Sequence, residues 1–408
     1  MTERTPVFRV LTINSGSSSL KFAVFMIGSS ERRVLAGQLD DIGGDQGRIR
    51  VADADGTTLL DQPAVLPDHD HALAWLLDWL KGRTEAGGLD GVGHRLVHGG
   101  ARYAAPQRYT PNLRAALEEL VPLAPDHLPQ ELAALDALAR FLPEVPQVVC
   151  FDTAFHRAMP LVARQYALPR SWWDTGLQRY GFHGLSYEYI VFVLTGEGVL
   201  PSRLIIAHLG NGASMAAVRE GCSVDTTMGF TPAGGLVMGT RCGDLDPGVL
   251  LYLLRQRGFN PAALDMLVNR EAGLLGVSGR SAGMLELLAA SGNDSHAAEA
   301  VALFCYQARK FLGALVTVLG GLDMLVFTGG IGEHAAAVRA QVCADLPFLG
   351  IELDPTLNTA NASLISAQTS AVRVRVIPTD EERVIAGHTV AVLRGASASA
   401  ITEREKNL

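Results

Sequence analysis

Hydrophobic and polar positions follow two rhythms along this chain. Val7–Ile13 is a largely apolar, β-prone run that stops at the polar turn Asn14-Ser15-Gly16-Ser17-Ser18-Ser19, and apolar residues resume at Leu20. The pattern predicts strand, tight turn, strand. Leu204–Ala207 repeats the plan, followed by His208-Leu209-Gly210-Asn211-Gly212-Ala213-Ser214 and the apolar Met215–Val218. Two such hairpins about half a chain apart point to a duplicated domain. Further strands are predicted at Val148–Phe151, Met324–Phe327 and Val372–Ile377. They run respectively into Asp152, into Thr328-Gly329-Gly330-Ile331-Gly332-Glu333 and into Pro378-Thr379-Asp380-Glu381. Between them lie helical patterns. Gln130–Leu142 carries Leu132, Leu135, Leu138 and Leu142 at helical spacing. Ala297–Gly320 is apolar on most faces and expected to be buried, and Ala335–Leu346 follows the glycine loop. Strands alternating with helices indicate an α/β protein. Ligands of such proteins gather beyond the carboxyl ends of strands, where Asp152, the glycine loop and Glu381 fall.

Composition narrows the possibilities. A chain of 408 residues favours two domains, and 48% hydrophobic with 19% charged residues is the balance of an ordered globular protein. A formal net charge of -8 leaves no electrostatic footprint for nucleic acid. Any anionic substrate must then be held by locally placed Arg and Lys. No basic stretch followed by an apolar one opens the chain, and no apolar run is expected to cross a membrane. The five cysteines contain no CxxC pair and are odd in number, and a reducing, cytoplasmic compartment is the expectation that follows. His94 and His98 lack a third ligand at zinc spacing, so no zinc site is expected.

The candidate chemistry lies in short polar segments. Asn14–Lys21 reads NSGSSSLK: small residues let backbone N–H groups approach an anion, and Lys21 adds charge. A plain Ser-rich turn would read the same. His208–Gly212 (HLGNG) strengthens the phosphate reading, since two glycine turns could grip one phosphate chain. Gly329–His334 (GGIGEH) lacks the third glycine of a dinucleotide fingerprint. It can pack backbone against a flat base, or simply form a close strand–helix turn. Arg95 in GHRLVHGG and Arg241 in TRCGDLDP present planar forks suited to carboxylate and phosphate. His183 lies between small residues in GFHG. Asp152 and Glu381, each just past a strand, could orient hydrated Mg²⁺.

Taken in order, NSGSSSLK, GHRLVHGG, VVCFDTAFH, RYGFHG, HLGNGAS, TTMGFTP, MGTRCGDLDP, VFTGGIGEH and IPTDEE resemble the acetate kinase family from Val7 to about Val390. The resemblance implies two duplicated RNase H-like α/β domains, as in actin and the sugar kinases, with an active-site cleft between them. Residues 1–154 with 384–408 would form one domain and residues 155–383 the other. It implies reversible, direct in-line transfer of a phosphoryl group between ATP and acetate, in a homodimer, with Mg²⁺ or Mn²⁺. Asn14 and Glu381 would hold the metal, Lys21 the phosphate. Asp152 would be the catalytic carboxylate, orienting the acceptor or a magnesium water, while Arg95, His183 and Arg241 would surround the transferred group. His208, Leu209, Gly210, Asn211 and Gly212, with Gly330, Ile331, Gly332, Glu333 and His334, would bind the nucleotide. Val97, Phe182 and Pro232 would line the acyl pocket.

The chain departs from that family pattern in three places. Gly283 and Leu285, flanking Met284, stand where the family carries Asp and Arg against ribose and base, and His334 replaces an Asn. A donor without adenosine, such as pyrophosphate, is therefore the alternative to ATP. Asp126 takes the place of a leucine of the acyl pocket and Leu128 that of an Asn, while Ala233 and Gly234 replace Leu-Glu. Propionate, butyrate or a more polar acid is the alternative acceptor. From a different class, an actin- or chaperone-like nucleotide switch would hydrolyse nucleotide without needing Arg95 and Arg241.

Overall fold

The computed structural model describes residues 6–16, 18–83 and 88–396. Ser17 of the first turn, and residues 397–408 of the expected first domain, lie outside them. The chain divides into two compact units, residues 1–154 with 380–408 and residues 155–379.

The first unit is built on an eight-stranded sheet of order β5-β4-β3-β2-β1-β6-β8-β7. The strands are β1 (Phe8–Ser15), β2 (Ser19–Ile27), β3 (Glu31–Asp40), β4 (Arg48–Asp53), β5 (Thr58–Pro63), β6 (Gly91–Leu96), β7 (Gln107–Arg108) and β8 (Gln147–Phe151). Strand alternation sends Leu11, Ile13, Phe22, Val24, Leu35 and Ile49 to one face. There they bury against Leu73, Leu76, Leu77 and Leu80 of the helix His69–Lys81 and Ala134, Ala137 and Leu138 of the helix Leu128–Phe141. Val10, Ala23 and Phe25 face the other way and receive Ala386 and Val390 of the helix Glu381–Leu393. Gly91 and Gly93 make that approach possible. A Cβ on Gly91 would lie 2.6 Å from Leu393 Cδ1, and one on Gly93 2.6 Å from Ile385 Cγ2. His94 lies on β6, so the four-residue spacing to His98 is not a shared helical face.

The second unit has a five-stranded sheet of order β11-β10-β9-β12-β13. Its strands are β9 (Arg203–Leu209), β10 (Ala213–Arg219), β11 (Cys222–Thr226), β12 (Met324–Thr328) and β13 (Arg373–Val376). Leu204, Ile206, Ala216 and Val218 pack against Tyr187, Ile190, Val191 and Leu194 of the helix Gly184–Gly196. The intervening Ile205, Ala207, Met215 and Ala217 are also fully buried, and the helix Ser295–Leu319 packs against β9, β10 and β11.

The duplication read from the two hairpins is visible in the topology. The series β3-β2-β1-β6-β8 and β11-β10-β9-β12-β13 have the same order. In each, the first three strands are antiparallel and the last three parallel. The fold class is the duplicated α/β plan expected from the sequence.

Three expectations need correction. Gly329–His334, expected as a loop, is a short helix, because the Glu333 Oε1 carboxylate accepts the Gly329 N–H at 3.0 Å and closes the first turn. The helix Ser295–Leu319 is not buried on most faces. Its buried positions, Ala297, Ala300, Val301, Phe304, Cys305, Ala308, Leu312, Leu315, Val316 and Leu319, form one stripe, while Tyr306 is 63% exposed. Nor is it true that no segment has membrane-spanning length: this helix is long and apolar enough by length and composition, though its inner stripe belongs to the core of the second unit.

Candidate active site

In the first unit, the parallel strands β1, β6 and β8 end along one edge and deliver Asn14, Arg95 and Asp152. Register pairs Asn14 with Lys21 across the hairpin, and Lys21 is exposed. The Arg95 guanidinium donates through Nε (3.0 Å) and Nη2 (2.5 Å) to Asp152 Oδ2, and through Nη1 to Asn14 Oδ1 at 3.4 Å. Glu131 Oε1 and Glu381 Oε2 each lie 3.9 Å from it. Only 16% of the Arg95 side chain and 1% of the Asp152 side chain are exposed. Burial pulls the Arg95 pKa down, but Asp152, Glu381 and Glu131 outweigh it and hold the pKa above the usual arginine value. The guanidinium is thus a permanent, fixed cation.

The helix Glu381–Leu393 begins at this edge. Asp380 caps it by accepting the Arg383 N–H, and Glu381 and Glu382 occupy its first turn, where the macrodipole favours acids. Asn14 Nδ2 donates to Glu381 Oε2 at 3.0 Å and to Glu382 Oε1 at 3.4 Å. Burial raises the Glu382 pKa, and the neighbouring Glu381 adds to the rise. Carboxylates crowded this way favour a divalent cation. Among the described residues no group of three His, Cys, Asp or Glu side chains forms a metal cluster. Mg²⁺ does not demand one, since it prefers one or two carboxylates plus water and phosphate oxygens. Asn14 and Glu381, both oxygen donors, fit that requirement.

Glu131 is the other acid beside Arg95, and it was not among the predicted residues. It lies in the first turn of the helix Leu128–Phe141, is 2% exposed, and its Oε2 accepts the Val97 N–H at 2.9 Å. Val97 is itself buried, whereas Asp126 is only half-buried, so it does not carry the full cost of a carboxylate in an apolar core.

The second unit gathers its own cluster around the β9–β10 turn. His183 stands at the N-terminus of the helix Gly184–Gly196 with φ of 59°, a left-handed conformation uncommon outside glycine. Its Nδ1 lies 2.8 Å from Ser214 Oγ, which also bonds the Tyr187 hydroxyl. The His183 ring stacks on that of His208, with centroids 4.2 Å apart, and His208 Nδ1 lies 2.8 Å from Ser186 Oγ. A Cβ placed on Gly212 would lie 3.0 Å from Arg241 Nη2 and 3.3 Å from His183 Nε2, so both side chains face that glycine. Arg241 is braced from behind by a 2.7 Å bond from Nη1 to the Pro232 carbonyl. Asn211 O accepts the Gly239 N–H at 2.9 Å. Gly329 has φ of 75° and nearly touches the turn, since its Cβ would lie 2.8 Å from Leu209 O.

His183, the His208–Gly212 turn, Arg241 and Gly329 are thus brought together. Phe182 is buried, and its carbonyl lies 3.1 Å from His156 Nε2. Gly330 and His334 are exposed on the short helix, with Ile331 half-buried and Gly332 buried. A Cβ placed on Gly239 would lie 3.2 Å from Ala282 O, next to the Gly283–Met284–Leu285 stretch, where Met284 is buried and Leu285 is 83% exposed. Ser186, Tyr187, Ser214, Glu131 and Glu382 were missed by the sequence reading. Ser214 and Glu382 sit inside the quoted motifs HLGNGAS and IPTDEE, so their positions carried the signal.

Residues 9–387 match the sequence model of the acetokinase family. An acetate kinase of Rhodopseudomonas palustris is 46% identical over 390 residues, covering 93% of this chain and 97% of that protein. The solved acetate kinase of Porphyromonas gingivalis superposes with a TM-score of 0.83 at 38% identity, over 95% of this chain and 100% of that one. A propionate kinase of Francisella tularensis superposes with a TM-score of 0.87 at 32% identity, over 94% and 99%. With buried Arg95–Asp152, the His183–Arg241 pair and this likeness along nearly its full length, the chain belongs to the acetokinase family.

Proposed function

We propose that this enzyme transfers the terminal phosphoryl group of ATP to acetate, reversibly, giving ADP and acetyl phosphate. The observation that carries the reading is the placing of two guanidinium cations, Arg95 held by Asp152, and Arg241 facing Gly212 beside His183. Acetate is ionised at neutral pH, so the acceptor needs no base. The obstacle is repulsion between two anions, and compensating it is the work of positioned positive charge around a planar, metaphosphate-like group.

Each unit contributes its own groups to the transfer. Arg95 and Arg241 neutralise acceptor and phosphoryl oxygens, and His183 donates to them from Nε2. Asp152 keeps Arg95 oriented. Lys21 draws the phosphate chain to the first hairpin. Asn14 and Glu381 would hold Mg²⁺ or Mn²⁺, which when bound neutralises charge on phosphate oxygens. The backbone of His208–Gly212 and Gly330–His334, with Gly283–Leu285, receives the nucleotide. Val97, Phe182 and Pro232, with Asp126, are the residues that receive the acyl group.

The trial is hydroxylamine trapping of acyl phosphate with acetate, propionate, butyrate and glycolate against ATP, GTP and pyrophosphate. Adduct with ATP and acetate is expected. Adduct with pyrophosphate alone would move the donor, and hydrolysis indifferent to every acid would make the chain a nucleotide switch. Propionate is the second reading for the acceptor, favoured by the likeness to a propionate kinase.

We also infer a homodimer in a reducing cytoplasm. No residue of the helix Pro247–Gln256 is buried, although Val249, Leu251, Tyr252 and Leu254 are each at least 38% exposed apolar side chains. A second copy of the chain is the partner that would cover it. No disulfide joins the five cysteines.

A further inference from the structure

Glu131 is a buried carboxyl group outside the predicted site residues. Its helix is otherwise buried through apolar residues, Leu128, Leu132, Leu135 and Leu138 among them, whereas Glu131 meets the Arg95 guanidinium and the Val97 N–H. An acid in the first turn of a helix serves the macrodipole equally well when exposed, yet Glu131 is 2% exposed. Burial is opposed by Arg95 and the Val97 N–H, but it prevails and lifts the carboxyl to about 8. Burying such a group is unfavourable unless its oxygens are bonded. Oε2 is, by the Val97 N–H at 2.9 Å. Oε1 has no hydrogen-bond partner among the described residues and lies 3.9 Å from Arg95 Nη1. Both neighbours stand on one short stretch, Arg95 inside β6 and Val97 just beyond it.

We propose that Glu131 is a positioning residue for the acceptor: it ties the Val97 peptide and backs the Arg95 guanidinium, so that pocket wall and carboxylate-binding cation keep one spacing. The inference rests on the acyl-kinase reading, which assigns Arg95 and Val97 to the acid. Asp152 and Glu381 are the other charged groups facing that guanidinium. Asp152 fixes its Nε and Nη2 side, and Glu131 stands by Nη1. The nucleotide segments belong to the second unit, Glu131 to the first.

The experiment compares wild-type enzyme with Glu131→Leu and Glu131→Gln by steady-state kinetics and thermal unfolding. The leucine variant should raise KM for acetate by about ten- to hundredfold, the scale of a small misplacement, and leave KM for ATP within about twofold. Glutamine, which keeps an oxygen for the Val97 N–H, should return KM for acetate to within about threefold of wild type. Unchanged KM for acetate in the leucine variant overturns the proposal. So does a loss shared equally by both substrates, or glutamine no better than leucine. If the leucine variant does not fold, Glu131→Asp, one methylene short of Val97, takes its place with the same expectation. A wild-type enzyme that forms no acyl phosphate sinks the acyl-kinase reading instead.

Discussion

The guanidinium of Arg95 has three carboxyl groups within 3.9 Å, and deleting it leaves buried acids facing one another. Arg95→Ala should therefore lower both stability and turnover, whereas Arg241→Ala, braced by a backbone carbonyl, should lower turnover alone. In each, kcat is expected to fall about 10²-fold or more, as on removal of one transition-state donor; steady-state rates beside melting curves separate the two effects. Acidity gives a second residue-level outcome. Burial holds buried His94 and His156 near 4 against an ordinary 6.5, so they favour the folded chain above pH 6.5 and lose that contribution as pH falls through 4. Glu131 works in the opposite sense: raised from 4.5 to about 8, it contributes fully below pH 4.5 and loses the contribution as pH rises through 8. Tm followed across pH should drop at both ends, with the acid limb shallower in His156→Asn and the alkaline limb shallower in Glu131→Gln. Asn14 and Asp152 were legible because each stands at or just past the end of an apolar strand run, Glu381 because it opens a helix soon after one, and Arg95 because it sits in a segment flanked by glycines. Glu131 was not, because nothing in a leucine-rich helix marks which polar position turns inward.

Elements placed by strong periodicity agree with the sequence reading to within a few residues. Val148–Phe151 lies within β8, and Gln130–Leu142 overlaps the helix Leu128–Phe141. The glycine segment did not, since composition cannot show that a carboxylate four positions on will close a helical turn over Gly329. Strands β3 to β5 also went unread: their burial patterns are broken by charged residues on an open face. The contact between β6 and the helix Glu381–Leu393 has a testable consequence. Gly93→Ala would drive a methyl group into Ile385 and Thr389, and overpacking of that kind costs about 1–3 kcal/mol. The expected result is a lowered urea midpoint with an unchanged m-value.

At the scale of the whole molecule, duplication was legible from only two hairpins, because a glycine turn between apolar strands must sit at the same place in each copy. What the chain does with the exposed helix Pro247–Gln256 was not, since apolar residues there look the same whether covered or bare. Light scattering should give twice the chain mass for wild type, and Tyr252→Asp with Leu251→Asp should give a monomer with intact secondary structure.

The helix Glu381–Leu393 completes a sheet whose first strand is made more than three hundred residues earlier. On a ribosome, residues 155–379 are therefore the first segment whose partners have all emerged, while Val10, Ala23 and Phe25 wait uncovered for Ala386 and Val390. The amino-terminal sheet is the last part of the nascent chain to close, and its apolar underside is the surface a chaperone would guard during synthesis.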